Sequence, residues 1–555
     1  MAKHAELHRI AKPVPTHQSA VLDSAHIGDI RGAFGTISVN DTGKRNSWMA
    51  RFKTLMAIIG PGLIVMVGDN DAGAFGTYTQ AGQNYGTTLL WTLMLLIPVL
   101  YVNQEMVLRL GVVSGVGHAR LILERFGRFW GAFSVIDLFL VNALTIVTEF
   151  IGISLGLTFL GVPKVPGVIV AALLIMMAVS TGNFRRFERF SMILVFASLL
   201  LVPVFVMVHP PLGQVARDFL VPTYPQGGKL SDIMLLVIGI VGTTVAPWQL
   251  FFQQSYVIDK RITTRFIKYE RWDLVLGIVL VIIGAVAMMG FAAHTFAGRP
   301  EFGNFVDAGA VANGIAKYFG KLPAQLFAIA LIDACIIGAS AVSLSTAYAV
   351  GDVLSMNHSL HRKPREALGF YAVYFTLIVI AAALVLIPGT PLGLLTNAVQ
   401  TLAGVLLPSA SVFLLLLCND KEVLGPWVNG RKLNIFTAVI VAVLVMLSII
   451  LTAAVIFPDI SGEAIVGILV GGTVIAILAT LAVEIVQANR TLAGAEPVPV
   501  LELVQDKSSW RMPSLEQLKP MNLTVGTLMW MGVLRGYLII AICMVAYKVA
   551  HLAFG

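Results

Sequence analysis

Two carboxylates, an amide and two glycines stand together in Val67-Gly68-Asp69-Asn70-Asp71-Ala72-Gly73-Ala74, inside an apolar run that begins near Leu55. An Asp at the centre of a bilayer costs about 2.5–3.5 kcal/mol on insertion scales. Asp69 and Asp71 have no Lys or Arg close by in sequence, so the pair asks for a cation. A carboxylate at such a break can instead accept from the first free N–H groups of the helix that follows, and that capping reading stands open for both acids. A second apolar run is interrupted at Thr243-Thr244-Val245-Ala246-Pro247-Trp248. Pro247 lacks an N–H and its ring clashes with the preceding turn, so the helix unwinds just before it. Gly68 and Gly73 permit the same around the acids. Carbonyls freed near Gly68, Thr243 and Ala246 end half-helices, and such ends favour positive charge.

The elements that must position these groups are membrane helices. Of 555 residues, 57% are hydrophobic and 12% charged; repeated apolar stretches near 20 residues read as spans. Thirteen helices are expected, at 54–80, 87–108, 131–160, 165–181, 187–208, 231–257, 272–294, 322–355, 367–389, 394–418, 433–457, 463–487 and 523–550. The chain divides into a cytoplasmic tail (1–50), a transporter domain (51–490, helices 1–12), a cytoplasmic linker (491–522) and a last helix (523–555) that crosses the bilayer or lies along it. No signal peptide is expected, because the first 50 residues are polar and mixed in charge. Basic residues crowd alternate loops (Arg120 to Arg128, Arg185 to Arg189, Lys260 to Arg271, Arg362 to Arg365). That pattern puts the N-terminus in the cytoplasm of a multi-pass cell-membrane protein, a bacterial inner membrane being the natural setting. The net charge of +8 is therefore topology and not a nucleic-acid patch. Cys335, Cys418 and Cys543 are widely spaced in apolar segments, with neither metal-ligand nor disulfide spacing. The tail histidines His4, His8, His17 and His26 read as solvated.

Two interrupted helices five apart point to an inverted-repeat transporter with its site between the breaks. Non-helical backbone at membrane depth must line a cavity or bind something. The residues then bear a resemblance. "GPGLIVMVGDNDAGAFGTYTQAG" resembles the first helix of the NRAMP divalent-metal transporters, whose motif is Asp-Pro-Gly-Asn with a Gln-Ala-Gly ending. Asp71 matches the motif Asp, Gly73 its Gly, and Gln80-Ala81-Gly82 the ending. "QEMVLRLGVVSG", "TEFIGISLGL", "GTTVAPWQLFFQQS" and "LPSASVFLLLLCNDKEVLGPWVNGR" are similar to the second, third, sixth and tenth helices. The resemblance runs in order over roughly 50–490. It implies an all-α polytopic membrane protein of the leucine-transporter type, a 5+5 inverted repeat with helices 1 and 6 broken and two or three additional C-terminal helices.

The departures from the family pattern carry the finer expectation. Where the family has Met-Pro-His on helix 6, this chain has Ala246-Pro247-Trp248, and Ala74 replaces the motif Asn. Soft sulfur suits transition metals and does nothing for hard Mg2+. The resemblance leaves Asp71, carbonyls near Gly68, Thr243 and Ala246, and Gln400 on helix 10 as metal ligands. Asp69, Asn70, Ala74 and Trp248 shape the site, and Glu149 is a candidate relay or pathway acid. Mg2+ sheds water reluctantly and usually keeps several waters beside one or two carboxylates. A roomy, sulfur-free site therefore points to largely hydrated Mg2+, with Mn2+ as a second cargo, as in the NRAMP-related magnesium-transporter branch. The family's relay histidines align with Trp248 and Gln253 and its third-helix Asp with Ile146, so transport without proton coupling is expected. The ion is cargo; no cofactor and no catalytic residue is expected. The partners are the ion and the lipid bilayer, a monomer is compatible, and the oligomeric state is open.

Rival readings are a proton-coupled Mn2+/Fe2+ carrier of the ordinary family type, an amino-acid carrier on the same fold, and an intramembrane aspartyl protease. An acidic pair repels a substrate carboxylate, and Met66-Val67 precedes Gly68-Asp69 where such proteases carry Gly-x-Gly-Asp. Asp137, Asp273, Asp333 and Asp352 read more simply as interhelical partners than as an ion path. Glu105 and Arg109, four apart, read as an ion pair.

Overall fold

The computed structural model describes residues 24–225, 228–388, 399, 409–457, 460–493, 507, 510–518, 521 and 526–539. Gln400, the linker between 494 and 506, and residues 540–555 lie outside them. A two-stranded antiparallel hairpin, β1 (Ile30–Arg31) and β2 (Thr36–Ile37), precedes α1 (Trp48–Ile58). The first membrane helix is two pieces, α2 (Pro61–Val67) and α3 (Ala72–Tyr85). Then come α4 (Trp91–Ser114), α5 (His118–Phe126), α6 (Arg128–Phe159), α7 (Lys164–Val179), α8 (Phe184–Ala197), α9 (Leu201–Val208) and α10 (Leu212–Leu220). The sixth membrane helix is again split, into α11 (Leu230–Thr244) and α12 (Pro247–Asp259). It is followed by α13 (Ile267–Phe296), α14 (Ala308–Phe319), α15 (Lys321–Val353), α16 (Leu368–Leu386), α17 (Ser409–Cys418), α18 (Lys421–Leu424), α19 (Arg431–Ile456) and α20 (Gly462–Ala493). Residues 526–539 are helical as well.

Among the described residues, nine helices are long and apolar enough to cross a membrane, and up to ten if α1 and α2 count as one bent span. Both breaks fall in the expected stretches: Pro247 opens α12, whereas at the first break Gly68 keeps helical dihedrals, Gly73 lies inside α3, and the extended backbone is at Asp71. The sequence reading of one helix over 54–80 is corrected in one respect: the chain also bends by 52° between α1 and α2. Gly60 makes that bend at φ +154°, where a side chain is rarely tolerated.

Two groups of helices form the body. In one, α13 packs along α2, α3 and α4, while α12 packs along α4 and α2. In the other, α6 lies against α15, α16 and α7. Counted from the first break, α2/α3, α4, α6, α7 and α8–α9 are followed by α11/α12, α13, α15, α16 and α17 in matching roles. This is the 5+5 arrangement of the leucine-transporter type, with α19 and α20 packed on each other and against α11 outside it. Close approach rests on small residues. A Cβ on Gly62 would lie 2.6 Å from the Leu274 nitrogen, and one on Gly277 would lie 2.6 Å from the Gly62 carbonyl.

Residues 24–47 are docked on one end of this body. Arg185 donates to the Gly32 and Gly35 carbonyls at 2.9 Å each, and Arg189 to the Ala33 carbonyl at 3.0 Å. Arg261 reaches the Ala25 carbonyl at 2.6 Å. His26, expected to be solvated, is buried, its Nε2 3.8 Å from Asp259; His4, His8 and His17 fall outside the described residues.

Beneath the bend, Lys260 Nζ donates to the Ile58 and Ile59 carbonyls (2.5 and 2.9 Å) and to Glu188 (2.5 Å). The other Glu188 oxygen accepts from Ala33 N, and Asp273 accepts from Gly62 N at 2.6 Å.

Candidate functional site

The two breaks meet at the middle of the bundle. At the first, Asp71 is the residue before α3, and its Oδ1 accepts from Ala74 N at 3.0 Å. The cap thus belongs to Asp71 and not to Asp69. The cap occupies one carboxylate oxygen of Asp71. Glu149, fully buried on α6, takes Ala72 N at 3.2 Å through Oε2, while its Oε1 has no partner among the described residues. Because Ala72 N turns to Glu149, it does not close the helical bond to the Gly68 carbonyl four residues back. At the second break the same result has a different cause: Pro247 has no N–H for the Thr243 carbonyl. Both expected carbonyls therefore stand at helix ends deprived of their usual donors. Tyr78 on α3 and Thr244 on α11 join the breaks through a 2.7 Å hydroxyl pair.

Asp69 is fully buried and accepts from Gln249 Nε2 through Oδ1; its Oδ2 has no partner among the described residues. Asn70 departs from the expectation that it shapes the site. Its amide donates to the Val281 carbonyl on α13 at 3.2 Å, which turns it away from the site. Ala74 and Ala246 are buried. Trp248, expected to shape the site, is 1% exposed, and its ring would lie 3.5 Å from a Cβ on Gly68. A cavity of about 30 Å3 is lined by Ala72, Gly76, Thr148, Gly152 and Asp307, among others. That is room for one or two waters. Among the described residues no three His, Cys, Asp or Glu side chains converge as a metal cage.

The comparisons follow from this geometry. A family model described as natural resistance-associated macrophage protein-like matches residues 62–454. The chain belongs to the Nramp family. This Nramp chain is 29% identical over 396 residues to the divalent metal cation transporter MntH of Ralstonia nicotianae, covering 68% of this chain and 87% of that protein. It is 25% identical to MntH of Klebsiella pneumoniae, covering 73% and 96%. Among solved structures it resembles an Eremococcus coleocola manganese transporter, with a TM-score of 0.61 at 21% identity over 80% of this chain and 98% of the other.

The remaining acids of this Nramp chain sort as partners or orphans. Asp137 accepts from Ser409 on α17 at 2.8 Å, and Asp352 lies 3.2 Å from His358. Glu105 pairs with Arg109 at 3.2 Å and also with Arg271 at 2.6 Å. Asp333 is buried with Oδ2 unpartnered among the described residues. Sequence reasoning missed Gln249 and Gln104. The only local signal was a glutamine two residues past Pro247.

Proposed function

We propose that this Nramp chain carries divalent cations across the cell membrane by alternating access, with largely hydrated Mg2+ as preferred cargo and Mn2+ also accepted. The observation that carries this reading is the composition of the two breaks. Two buried acids and two freed carbonyl positions face a site whose helix-6 side offers Ala246 and an indole in place of sulfur. Such oxygen-only ligation suits a hard ion that keeps waters. Relatives named as divalent metal cation transporters support the broader class. The basic loops support a cytoplasmic N-terminus and a bacterial inner-membrane setting. Asp71, the Gly68, Thr243 and Ala246 backbone, and Gln400 are the proposed ligands. Asp69 and Trp248 shape the site from either side.

Transport without proton coupling is part of the proposal, since helices 3 and 6 offer no histidine at the breaks. One observation favours the rival proton-coupled Mn2+/Fe2+ reading: Asp71 and the fully buried Glu149 bind N–H groups two residues apart in the first turn of α3, so the two carboxyls sit close together where one can carry a proton. Uptake of Mg2+, Mn2+ and Ca2+ into proteoliposomes, with Asp71→Ala as control, decides among these readings. We expect Asp71-dependent uptake favouring Mg2+ over Ca2+, and no acidification of the lumen that tracks it. Strong Mn2+ preference, or acidification in step with uptake, establishes the rival.

A further inference from the structure

The amide of Gln249 is the one side chain that touches both Asp69 and the second break. It is fully buried on α12. Its Nε2 donates to Asp69 Oδ1 and lies 3.4 Å from the Thr244 carbonyl. Its Oε1 accepts from Gln104 Nε2 of α4 at 3.0 Å. An amide can present either end to a carboxylate, and only the N–H end is attractive. Asp69 selects the N–H end, and the Gln249 oxygen so turned away is taken up by Gln104, which braces the amide in that orientation.

Asp69 is thereby left with one oxygen tied to an N–H and one without a partner, Oδ2. On the helices that meet Asp69 and Gln249, further buried polar atoms are unpartnered among the described residues: the acceptor Gln104 Oε1, the hydroxyl of Thr243, both ends of the Gln253 amide one turn past Gln249, and the donor Trp248 Nε1. Most buried side-chain polar atoms in folded proteins find a partner, so those left open beside the two breaks are candidates for contact with a hydrated ion. Waters bound to a cation point only O–H donors outward, and the free Asp69 Oδ2 and Gln104 Oε1 are acceptors of the kind they require. An N–H bond to Oδ1 also weakens Asp69 as a direct metal ligand, and among the described residues no three His, Cys, Asp or Glu side chains converge to strip the shell.

We propose that Gln249, braced by Gln104, is a specificity-determining positioning residue that makes Asp69 an acceptor for metal-bound water and not a direct ligand. The proposal rests on the divalent-cation reading above. Gln249 then favours ions that keep their shell over ions that give it up.

The test uses the full-length protein, purified and in proteoliposomes, with cobalt(III) hexaammine as a probe whose N–H shell cannot be stripped. Wild type should bind the probe by calorimetry, and the probe should compete with Mg2+ uptake. Gln249→Leu should weaken Mg2+ and probe at least tenfold while Mn2+, which loses water more readily, changes less than threefold. Gln104→Leu, which leaves the Asp69 contact in place but removes the brace on the amide, should shift the Mg2+-to-Mn2+ ratio the same way by about threefold; it keeps the test open if Gln249→Leu does not fold. Equal losses for Mg2+ and Mn2+ in both variants make Gln249 merely structural and overturn the proposal. So does a probe that binds wild type no better than Asp71→Asn. Uptake of neither ion, or uptake indifferent to Asp71→Ala, overturns instead the cation reading and this proposal with it.

Discussion

Asp71 holds two positions at once, the cap of α3 and one wall of the break, and the two can be separated by substitution. Asn caps a helix as well as Asp does but carries no charge. Asp71→Asn should therefore keep the wild-type unfolding midpoint in detergent while Mg2+ uptake falls about 100-fold, equivalent to roughly 2.8 kcal/mol. Asp71→Ala loses the cap as well and should unfold more easily by about 1 kcal/mol. Equal destabilisation of both variants, with uptake retained in Asp71→Asn, reduces the carboxylate to its capping role. Asp71 was legible in the sequence because a charge in an apolar run has an energetic cost that must be answered. Gln249 was not: it is neutral, it interrupts nothing, and its partner Asp69 is 180 residues away in the chain. Trp248 shows the limit from the other side. Residue types told which ligands are missing at the breaks, but not that the indole would be buried beside Gly68.

Among the elements, the broken helices were readable because proline at 247 acts on its own turn of backbone and the acid pair marks the first break, although there the extended residue is Asp71 and neither Gly68 nor Gly73 leaves helical backbone. The joint between α1 and α2 was not, because what secures it comes from three distant segments. Lys260, at the end of α12, satisfies the last carbonyls of α1 and pairs with Glu188 of α8, and both side chains are shut away from solvent. Removing one partner of a buried pair costs about 3–5 kcal/mol, because the other charge is left uncompensated. Lys260→Met should destabilise the purified protein by that order. Lys260→Met with Glu188→Gln should recover most of the loss, since the stranded carboxylate is gone. A denaturation series on the four members of the cycle measures the coupling. Additive losses, with no recovery in the double variant, show that Lys260 acts through packing alone and not as a clasp on the joint.

The molecule as a whole is closed at one end by residues 24–47, and here local sequence said least. A short polar segment reads as solvated, whereas its carbonyls are taken up by arginines more than 150 residues away. The same end carries a titratable seam. His358, in the loop after α15, sets Nδ1 2.8 Å from the Met356 carbonyl and Nε2 3.2 Å from Asp352. Burial alone lowers its pKa, but the Asp352 hydrogen bond and charge outweigh burial and hold the imidazole above the ordinary histidine range. His361, by the Asp259 carbonyl at 3.0 Å, is shifted the other way, its burial outweighing the pull of Asp259. The signs follow by linkage. A raised His358 binds a proton that the unfolded chain releases, so its stabilisation is complete below the ordinary value near 6.5 and is lost as pH rises through the higher folded value. A lowered His361 gives up a proton that the unfolded chain keeps, so its contribution is unfavourable below about 6.5 and fades above it. Melting curves of the purified protein between pH 5 and 9 should therefore fall on both sides of a maximum. His358→Gln should flatten the alkaline limb and leave the acid limb, and His361→Gln should do the reverse. If both variants keep the wild-type profile, neither ring is linked to folding, and the docked segment is held at this end by the arginine contacts alone.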